Sequence, residues 1–214
     1  MRTVEAFKVL RIIRKHIVLG GFMAFSIGSL LAITTGGTFD LWKSAIFYFI
    51  ALFGDLSTHF SNDYFDVETD RQVKHKKFFS GSQMLIKNPQ LRSLVLKIAL
   101  ILLGASCIVA ALATMFFSAP IELLTITIIG NFLGWIYSAP PIRLISRGLG
   151  EIAIAFAAGV VIPAVGYLSV KGQFDSLFAF FALPFMLYGY MLGLSLEAPD
   201  IETDKNTGKN NIGT

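Results

Sequence analysis

The chain has 214 residues and a formal net charge of +4, with 54% hydrophobic and only 15% charged residues. Soluble globular domains average about 25% charged residues, and a chain of this size could not bury so much apolar surface in water. The mean hydropathy of +0.66 also excludes a disordered chain. The single cysteine, Cys107, offers neither a disulfide framework nor a metal cluster. Composition therefore predicts an integral membrane protein.

Six apolar stretches are long enough to cross a membrane, because a transmembrane helix needs roughly 20 mostly apolar residues. They cover residues 17–34, 41–60, 94–117, 121–137, 152–170 and 177–196. The first stretch is long for a signal peptide, and no small-x-small cleavage site follows it. The runs are continuously apolar and lack the alternation of barrel strands. The predicted fold is an all-α, polytopic transmembrane helical bundle with six spans.

The basic residues separate by membrane side once the six spans are placed. All but two of the 18 Lys and Arg residues fall on the side of the amino terminus, and only Lys43 and Lys171 fall on the other. The positive-inside rule puts the basic side in the cytosol. We therefore predict a multi-pass protein of the cytoplasmic membrane, with a cytosolic amino terminus and cytosolic motif loops. Because the membrane accounts for the positive charge, no nucleic-acid partner is expected.

Two acidic segments lie at the cytosolic ends of the second and sixth spans. Residues 62–70 read NDYFDVETD, and residues 197–204 read EAPDIETD. If the second span continues as a helix, Asp63, Asp66 and Asp70 share one stripe, spaced i, i+3 and i+7. Asp200 and Asp204, spaced i and i+4, share a helix face in the same way.

The spacing of these carboxylates indicates what they bind. Like charges at such spacings repel, so a positive group is expected among them. Mg²⁺ prefers oxygen ligands, keeps several waters and takes one or two carboxylates plus substrate phosphates. We interpret the two faces as magnesium sites around a diphosphate, with Lys and Arg from the same loops binding the other phosphate oxygens. The alternatives are solvated loop acids and a calcium site, although neither segment has the EF-hand pattern.

Three stretches follow one another along the chain: NDYFDVETD, YSAPPIRLISRGLGE at residues 137–151, and DIETDKNTGK at residues 200–209. They resemble the first aspartate motif (N-D-x-x-D-x-x-x-D), the connector after the fourth helix and the second aspartate motif (D-x-x-x-D) of the UbiA superfamily of intramembrane aromatic prenyltransferases. The resemblance covers essentially the whole chain. It implies a helical bundle around a central cavity, capped on the cytosolic side by the two motif loops.

The resemblance also implies roles for individual residues. The catalytic and magnesium-binding carboxylates would be those of the two motifs: Asp63, Asp66, Asp70, Asp200 and Asp204. Substrate-binding residues would be the other motif, connector and basic positions: Asn62, Lys77, Tyr137, Arg143, Arg147, Lys205 and Lys209. One departure is Arg14-Lys15-His16, which stands where the family often carries Arg-Pro near the start of the first helix. Pro199 is another, because many members carry Asn before the second motif.

Asp55 and His59 lie inside the second span, one and two turns before the first motif. Ionisable residues within a membrane usually face a cavity or a partner. We predict either that the two residues line the acceptor pocket and bind substrate, or that they form a buried pair that only fixes helix packing.

The activity implied by the resemblance is transfer of a polyprenyl group from a polyprenyl diphosphate to an aromatic acceptor, with Mg²⁺ as cofactor and membrane lipid as the setting. FSGSQ at residues 79–83 and the second motif look most like the menaquinone branch, which prenylates 1,4-dihydroxy-2-naphthoate. Alternative acceptors are 4-hydroxybenzoate, homogentisate and a glyceryl phosphate. Other classes are a cation-coupled multispan transporter and an inactive scaffold. The acids cluster at one interface and not near mid-membrane, which favours the enzyme over the transporter.

The whole chain, residues 1–214, is predicted to be a single transmembrane prenyltransferase domain that lacks its C-terminal helices. The resembling family ordinarily continues after the second motif to about nine helices, and a motif on a free chain end is poorly held for metal binding. The alternative is a short homologue that completes its bundle by dimerising.

Overall fold

The computed structural model describes residues 8–71 and 82–197, and within them the regular structure is helical and without strands. In chain order the helices are α1 (Lys15–Thr34), α2 (Leu41–Phe65), α3 (Val67–Asp70), α4 (Met84–Lys87), α5 (Arg92–Phe116), α6 (Ile121–Ser138), α7 (Gly150–Phe156), α8 (Ile162–Lys171) and α9 (Ser176–Glu197). A π-helical segment, Ala157–Val161, joins α7 to α8. The prediction of an all-α polytopic membrane bundle is confirmed. The largest boundary difference is at α2, which continues beyond residue 60 to Phe65.

Among the described residues, four helical segments are long and apolar enough to cross a membrane: Lys15–Thr34, Pro89–Phe116, Ile121–Ser138 and Gly150–Lys171. The sixth predicted span is apolar over Ser176–Met191. The second, α2, has 25 residues but also carries polar side chains, which lower its hydropathy. Of these, Ser57, His59 and Ser61 are buried. This burial matches the rule that polar residues of membrane helices face the interior of the bundle.

Helix α2 lies at the centre of the bundle, where it packs along α5 and α6 and also contacts α1 and α8. The Ser57 hydroxyl donates to the Ala99 carbonyl oxygen of α5 at 2.8 Å, and the Ser106 hydroxyl of α5 donates back to the Ile50 carbonyl oxygen at 2.8 Å. Asn131 of α6 donates to the Ser106 hydroxyl at 3.1 Å. Such interhelical hydrogen bonds stabilise membrane bundles. They fix the axial position of α2, and therefore the position of the acidic residues at its end.

The crossing of α1 and α8 depends on two glycines. A Cβ atom on Gly28 would lie 2.0 Å from the Pro163 carbonyl oxygen, and one on Gly166 would lie 2.1 Å from the Phe25 carbonyl oxygen. Small residues at helix crossings allow backbones this close approach in membranes. The contact holds the second half of the chain against the first.

A separate apolar cluster lies next to the acidic end of α2. Its buried members come from the amino-terminal segment, α2, α3, α4 and α5, and include Val9, Ile12, Phe60, Leu85 and Val95. Because Ile12 is fully buried in this cluster, the segment that carries Arg14 is anchored beside the end of α2.

Candidate active site

The first acidic motif forms the end of α2. Asn62 and Asp63 lie in its last turn and Asp66 is its C-cap, with exposed fractions of 9%, 3% and 8%. Aspartate has a low helix propensity, and the chain leaves the helix at Asp66 before α3 begins. The predicted stripe is therefore interrupted at Asp66. Asp70 ends the short helix α3, which begins after this interruption.

Asp63 is bound by two segments that are distant in sequence. Arg14 approaches with its Nη2 atom 3.5 Å from Asp63 Oδ1. The Ser82 hydroxyl donates to Asp63 Oδ2 and accepts the Met84 backbone amide at 3.1 Å. A buried carboxylate is costly unless it is paired and hydrogen-bonded. The amino-terminal segment and the loop before α4 supply these partners.

The partners of Asp66 come from later in the chain, namely from the end of α6 and from the connector that follows it. Arg143 donates from Nη2 to Asp66 Oδ1 at 3.0 Å. The Ser138 hydroxyl lies 2.7 Å from Asn62 Oδ1 and 3.4 Å from Asp66 Oδ2, so it connects the two motif residues. Arg143 adopts a left-handed backbone with φ of +44°, which is uncommon for a residue other than glycine. The connector thus places a guanidinium directly on the motif.

Both arginines keep an unused donor. The Nε atoms of Arg14 and Arg143 are buried and have no hydrogen-bond partner among the described residues. Leaving such a donor unsatisfied costs about 1–3 kcal/mol, so most buried donors have a partner. Guanidinium groups bind phosphate oxygens with paired, parallel hydrogen bonds. The cluster therefore has two buried carboxylates and spare donors suited to an anion.

The other predicted site residues are only partly brought to this cluster. Arg147 is exposed and donates to the Pro141 carbonyl oxygen at 3.0 Å. Tyr137 is half-buried in the last turn of α6. The side chain of Asp70 is not described. Five further predicted residues lie outside the described ranges: Lys77, Asp200, Asp204, Lys205 and Lys209.

Three residues of the cluster were not predicted from the sequence. Arg14 belongs to Arg14-Lys15-His16, the tripeptide that departs from the family pattern. Ser82 lies in the FSGSQ stretch, and Ser138 follows Tyr137 in the connector. The signal for Ser138 was its place two residues before the prolines Pro140 and Pro141 of the connector, where α6 has to end. For Arg14, the signal was its position in a basic segment on the same membrane side as the motif.

Asp55 and His59 lie on α2 before the motif. Their Oδ1 and Nε2 atoms are 3.6 Å apart, and the His59 side chain is 4% exposed. This distance is too long for a hydrogen bond. The structure thus places the two groups side by side without a hydrogen bond between them.

The side chains of the cluster carry oxygen atoms of the kind that bind a divalent cation. Among the described residues there is no group of three or more His, Cys, Asp or Glu side chains placed to hold a metal ion. Mg²⁺ needs only one or two carboxylates when substrate phosphates and water complete its shell. Asp63, Asp66 and the amide oxygen of Asn62 supply oxygen donors of the right type. The described residues therefore fit a cation that binds together with a diphosphate.

The fold and the cluster define a class, namely a polytopic membrane protein with a buried carboxylate–arginine site at one end of its helices. A model of the UbiA prenyltransferase family matches residues 22–214, so the chain belongs to this family. It is thus an integral membrane prenyltransferase, and the family uses a prenyl diphosphate and an aromatic acceptor. The family is generally dependent on a divalent metal. Searches of curated proteins and of solved structures gave no match.

Proposed function

We propose that the protein is a magnesium-dependent polyprenyltransferase of quinone biosynthesis, with 1,4-dihydroxy-2-naphthoate as its acceptor. The observation that carries the proposal is the arrangement at the end of α2. Two buried carboxylates, Asp63 and Asp66, each contact a different arginine, and the buried Nε–H of both arginines has no partner in residues 8–71 and 82–197. Such a cluster has ligands for a cation and donors for the phosphates that accompany it.

The proposed roles follow from these contacts. Arg14 and Arg143 bind oxygens of the diphosphate and neutralise the charge that grows as the allylic C–O bond breaks. Asp63, Asp66 and Asn62 would hold Mg²⁺, which when bound supplies further neutralisation of the leaving group. Ser138 fixes the orientation of Asn62 and Asp66, and Ser82 fixes that of Asp63.

Further residues complete the proposed site by their match to the family motifs. Asp70, Asp200 and Asp204 would add carboxylates. Tyr137 and Arg147 of the connector, with the basic loop residues Lys77, Lys205 and Lys209, would contact the substrate. Asn62 takes part through its side-chain amide, which already accepts from Ser138.

The allylic carbon becomes cation-like as the diphosphate leaves, so its surroundings have to exclude water and tolerate positive charge. Aromatic ring faces attract cations. Phe65 stacks edge-on against Tyr64 at 5.0 Å and against Trp135 at 5.6 Å between ring centroids. These rings flank the end of α2 and provide an apolar, aromatic neighbourhood for the prenyl chain.

The choice of acceptor rests on the sequence. FSGSQ and the second motif are most similar to the menaquinone branch, and Ser82 of FSGSQ binds Asp63 directly. The other acceptor classes are 4-hydroxybenzoate, homogentisate and a glyceryl phosphate. A screen of these four acceptors with one radiolabelled polyprenyl diphosphate and purified protein tests the assignment. Transfer to 1,4-dihydroxy-2-naphthoate that requires Mg²⁺ is expected. Cation flux in vesicles without any transfer would favour a transporter instead.

We further propose that the acidic end of the bundle faces the cytosol in the cytoplasmic membrane. Lys43 lies in the first turn of α2 and Lys171 at the end of α8, whereas Arg14 and Arg143 contact the motif at the other end of α2. Single cysteines introduced into a Cys107→Ser background test this with a membrane-impermeant thiol reagent. Ser146→Cys is expected to react only in inverted vesicles, and Gly172→Cys only in intact cells. The reverse pattern would overturn the orientation.

A further inference from the structure

A narrow crevice opens between α1, α2 and α8, beside the middle of α2. Its enclosed space is about 10 Å³, which is room for one hydroxyl-sized group, and apolar or aromatic residues such as Gly21, Phe22, Leu52 and Ile162 form most of its wall. Asp55 is the one charged side chain among the described residues that line it. Ligand pockets typically combine an apolar wall with very few placed polar groups.

Asp55 lines this crevice and His59 lies next to Asp55 without lining it, and both have buried atoms that lack hydrogen-bond partners among the described residues. Asp55 Oδ2 is buried without a hydrogen-bond partner in the described part of the chain, and so are both ring nitrogens of His59. The His59 side chain is 4% exposed, and its contact with Asp55 is 3.6 Å long. A pair that only fixed helix packing would satisfy these atoms, because an unsatisfied buried polar group costs about 1–3 kcal/mol.

The pair also lies on the same face of α2 as the motif. Asp55, His59, Asn62 and Asp66 are spaced i, i+4, i+7 and i+11, which keeps them on one helical stripe. At 1.5 Å per residue, Asp55 is about 12 Å along the axis from Asp63. The stripe therefore leads from the diphosphate end into the crevice.

We propose that Asp55 and His59 bind a ring hydroxyl group of the aromatic acceptor, with Asp55 accepting its hydrogen bond at the mouth of the crevice. This inference rests on the proposed function. The hydroxyl enters the crevice and donates its hydrogen to Asp55 Oδ2, while the ring stays at the mouth of the crevice, one to two helical turns from the diphosphate. Asp55 and His59 select acceptors that carry a hydroxyl group, since a pocket with buried polar groups rejects ligands that leave those groups unpaired.

The test compares two acceptors and two isosteric variants of the full chain in lipid nanodiscs. Equilibrium binding is measured for 1,4-dihydroxy-2-naphthoate and for its dimethyl ether, together with KM for the acceptor and for the polyprenyl diphosphate. Wild type is expected to bind the diol at least about 10-fold more tightly than the ether, and Asp55→Asn to lose most of that preference. His59→Gln is expected to weaken diol binding in the same direction.

Asp175→Asn is the matched control, because it makes the same chemical change in the connection between α8 and α9, away from the crevice. It should leave both acceptor affinities and both KM values as in wild type. Asp55→Asn should raise KM for the acceptor about 10-fold without changing KM for the diphosphate. A role confined to helix packing would instead lower thermal stability or kcat and preserve the preference for the diol.

The outcomes separate the two proposals. Transfer to the diol with an unchanged diol preference in Asp55→Asn would overturn the inference and leave the proposed function standing. A diol preference that Asp55→Asn abolishes, in a protein that transfers no prenyl group to any acceptor, would support the hydroxyl site and contradict the proposed function. Equal binding of diol and ether by wild type would also overturn the inference.

Discussion

The two ends of the bundle both carry carboxylates beside cations, but they are built differently. At one end, Asp175 accepts from the Tyr167 hydroxyl at 2.6 Å and from the Phe178 amide at 3.1 Å. Lys171 lies 3.8 Å from the same carboxylate. All four residues come from one helical hairpin. At the motif end, Asp63 contacts Arg14, which is 49 residues away along the chain, and Asp66 contacts Arg143, which is 77 residues away.

This difference is the one expected between a cluster that only stabilises the fold and a cluster that binds a ligand. The Asp175 carboxylate has hydrogen bonds to both of its oxygens, and its partners are local in sequence. The motif end joins three remote segments and still leaves the Nε atoms of both arginines buried and unpartnered among the described residues. Hydrogen-bond donors that the fold leaves unpaired are available to bind a ligand. The following substitutions are designed to break or sharpen this contrast.

The largest effect is expected from the motif carboxylates. Asp63→Asn and Asp66→Asn keep the shape of each side chain but remove the charge that pairs with an arginine and would bind Mg²⁺. Turnover is expected to fall by at least about 100-fold, measured as transfer of a labelled prenyl group. Asp175→Asn, the same change at the other end, should retain nearly full turnover. If all three variants had comparable turnover, the two ends of the bundle would not differ in function, which contradicts the proposed site.

The second-largest effect is expected from the two arginines that contact the motif. Arg14→Gln and Arg143→Gln remove donors to the diphosphate, and each should raise KM for the polyprenyl diphosphate roughly 10-fold to 100-fold. KM for the aromatic acceptor should change little. Arg71→Gln is the control, since Arg71 is exposed and pairs with the Glu68 carboxylate at 3.1 Å. An Arg71 variant as impaired as the Arg143 variant would show that loss of any positive charge at this end of the bundle has the same effect.

A smaller effect is expected from Ser138→Ala. This change removes the hydroxyl that joins Asn62 to Asp66 but leaves both side chains in place. Activity should fall roughly threefold to tenfold, as for one neutral hydrogen bond. The Mg²⁺ concentration for half-maximal activity should rise, because the oxygen donors are less well oriented. Ser138→Thr keeps the hydroxyl and should restore most of the loss. Failure of Thr to rescue would count against a positioning role.

The smallest effect concerns pH and the opposite end. The Tyr167 hydroxyl and the Phe178 amide hold the pKa of the Asp175 carboxyl below its usual value. A carboxyl with a lowered folded pKa stabilises the fold above its unfolded pKa of about 4, and this stabilisation is lost as the pH falls below that value. The melting temperature of wild type should therefore exceed that of Asp175→Asn at pH 7, and the gap should close in acid. A gap independent of pH would contradict the assignment.

The helices were predictable because bilayer thickness sets the length of apolar runs, and the run at residues 121–137 corresponds closely to α6 (Ile121–Ser138). The position of Asp63 and Asp66 at the end of α2 was predictable for the same reason, because they directly follow the second apolar run. The side chains that contact the motif could not be predicted in this way, because Arg14, Ser82 and Ser138 are brought to it by the packing of segments that are remote in sequence. Ile12 is buried in the cluster that anchors Arg14, and no spacing along the chain reveals that contact.

The break at Asp66 shows a second limit. The spacing of Asp63, Asp66 and Asp70 is compatible with one continuous helix, but the helix ends where the Asp66 side chain meets Arg143 and Ser138. Tertiary hydrogen bonds to a residue of low helix propensity outweigh the periodic pattern. Side-chain spacing alone therefore does not reveal that α2 ends at Asp66.

The most direct test of the account is calorimetric titration of the purified protein with a non-hydrolysable polyprenyl diphosphate analogue, with and without Mg²⁺. The account predicts saturable binding that requires Mg²⁺ in wild type and in Asp175→Asn. The same binding should be lost in the double variant Asp63→Asn, Asp66→Asn, with the helical circular dichroism spectrum retained. Binding of equal strength in the folded double variant, or in the absence of any divalent cation, would contradict the claim that the end of α2 is the diphosphate site.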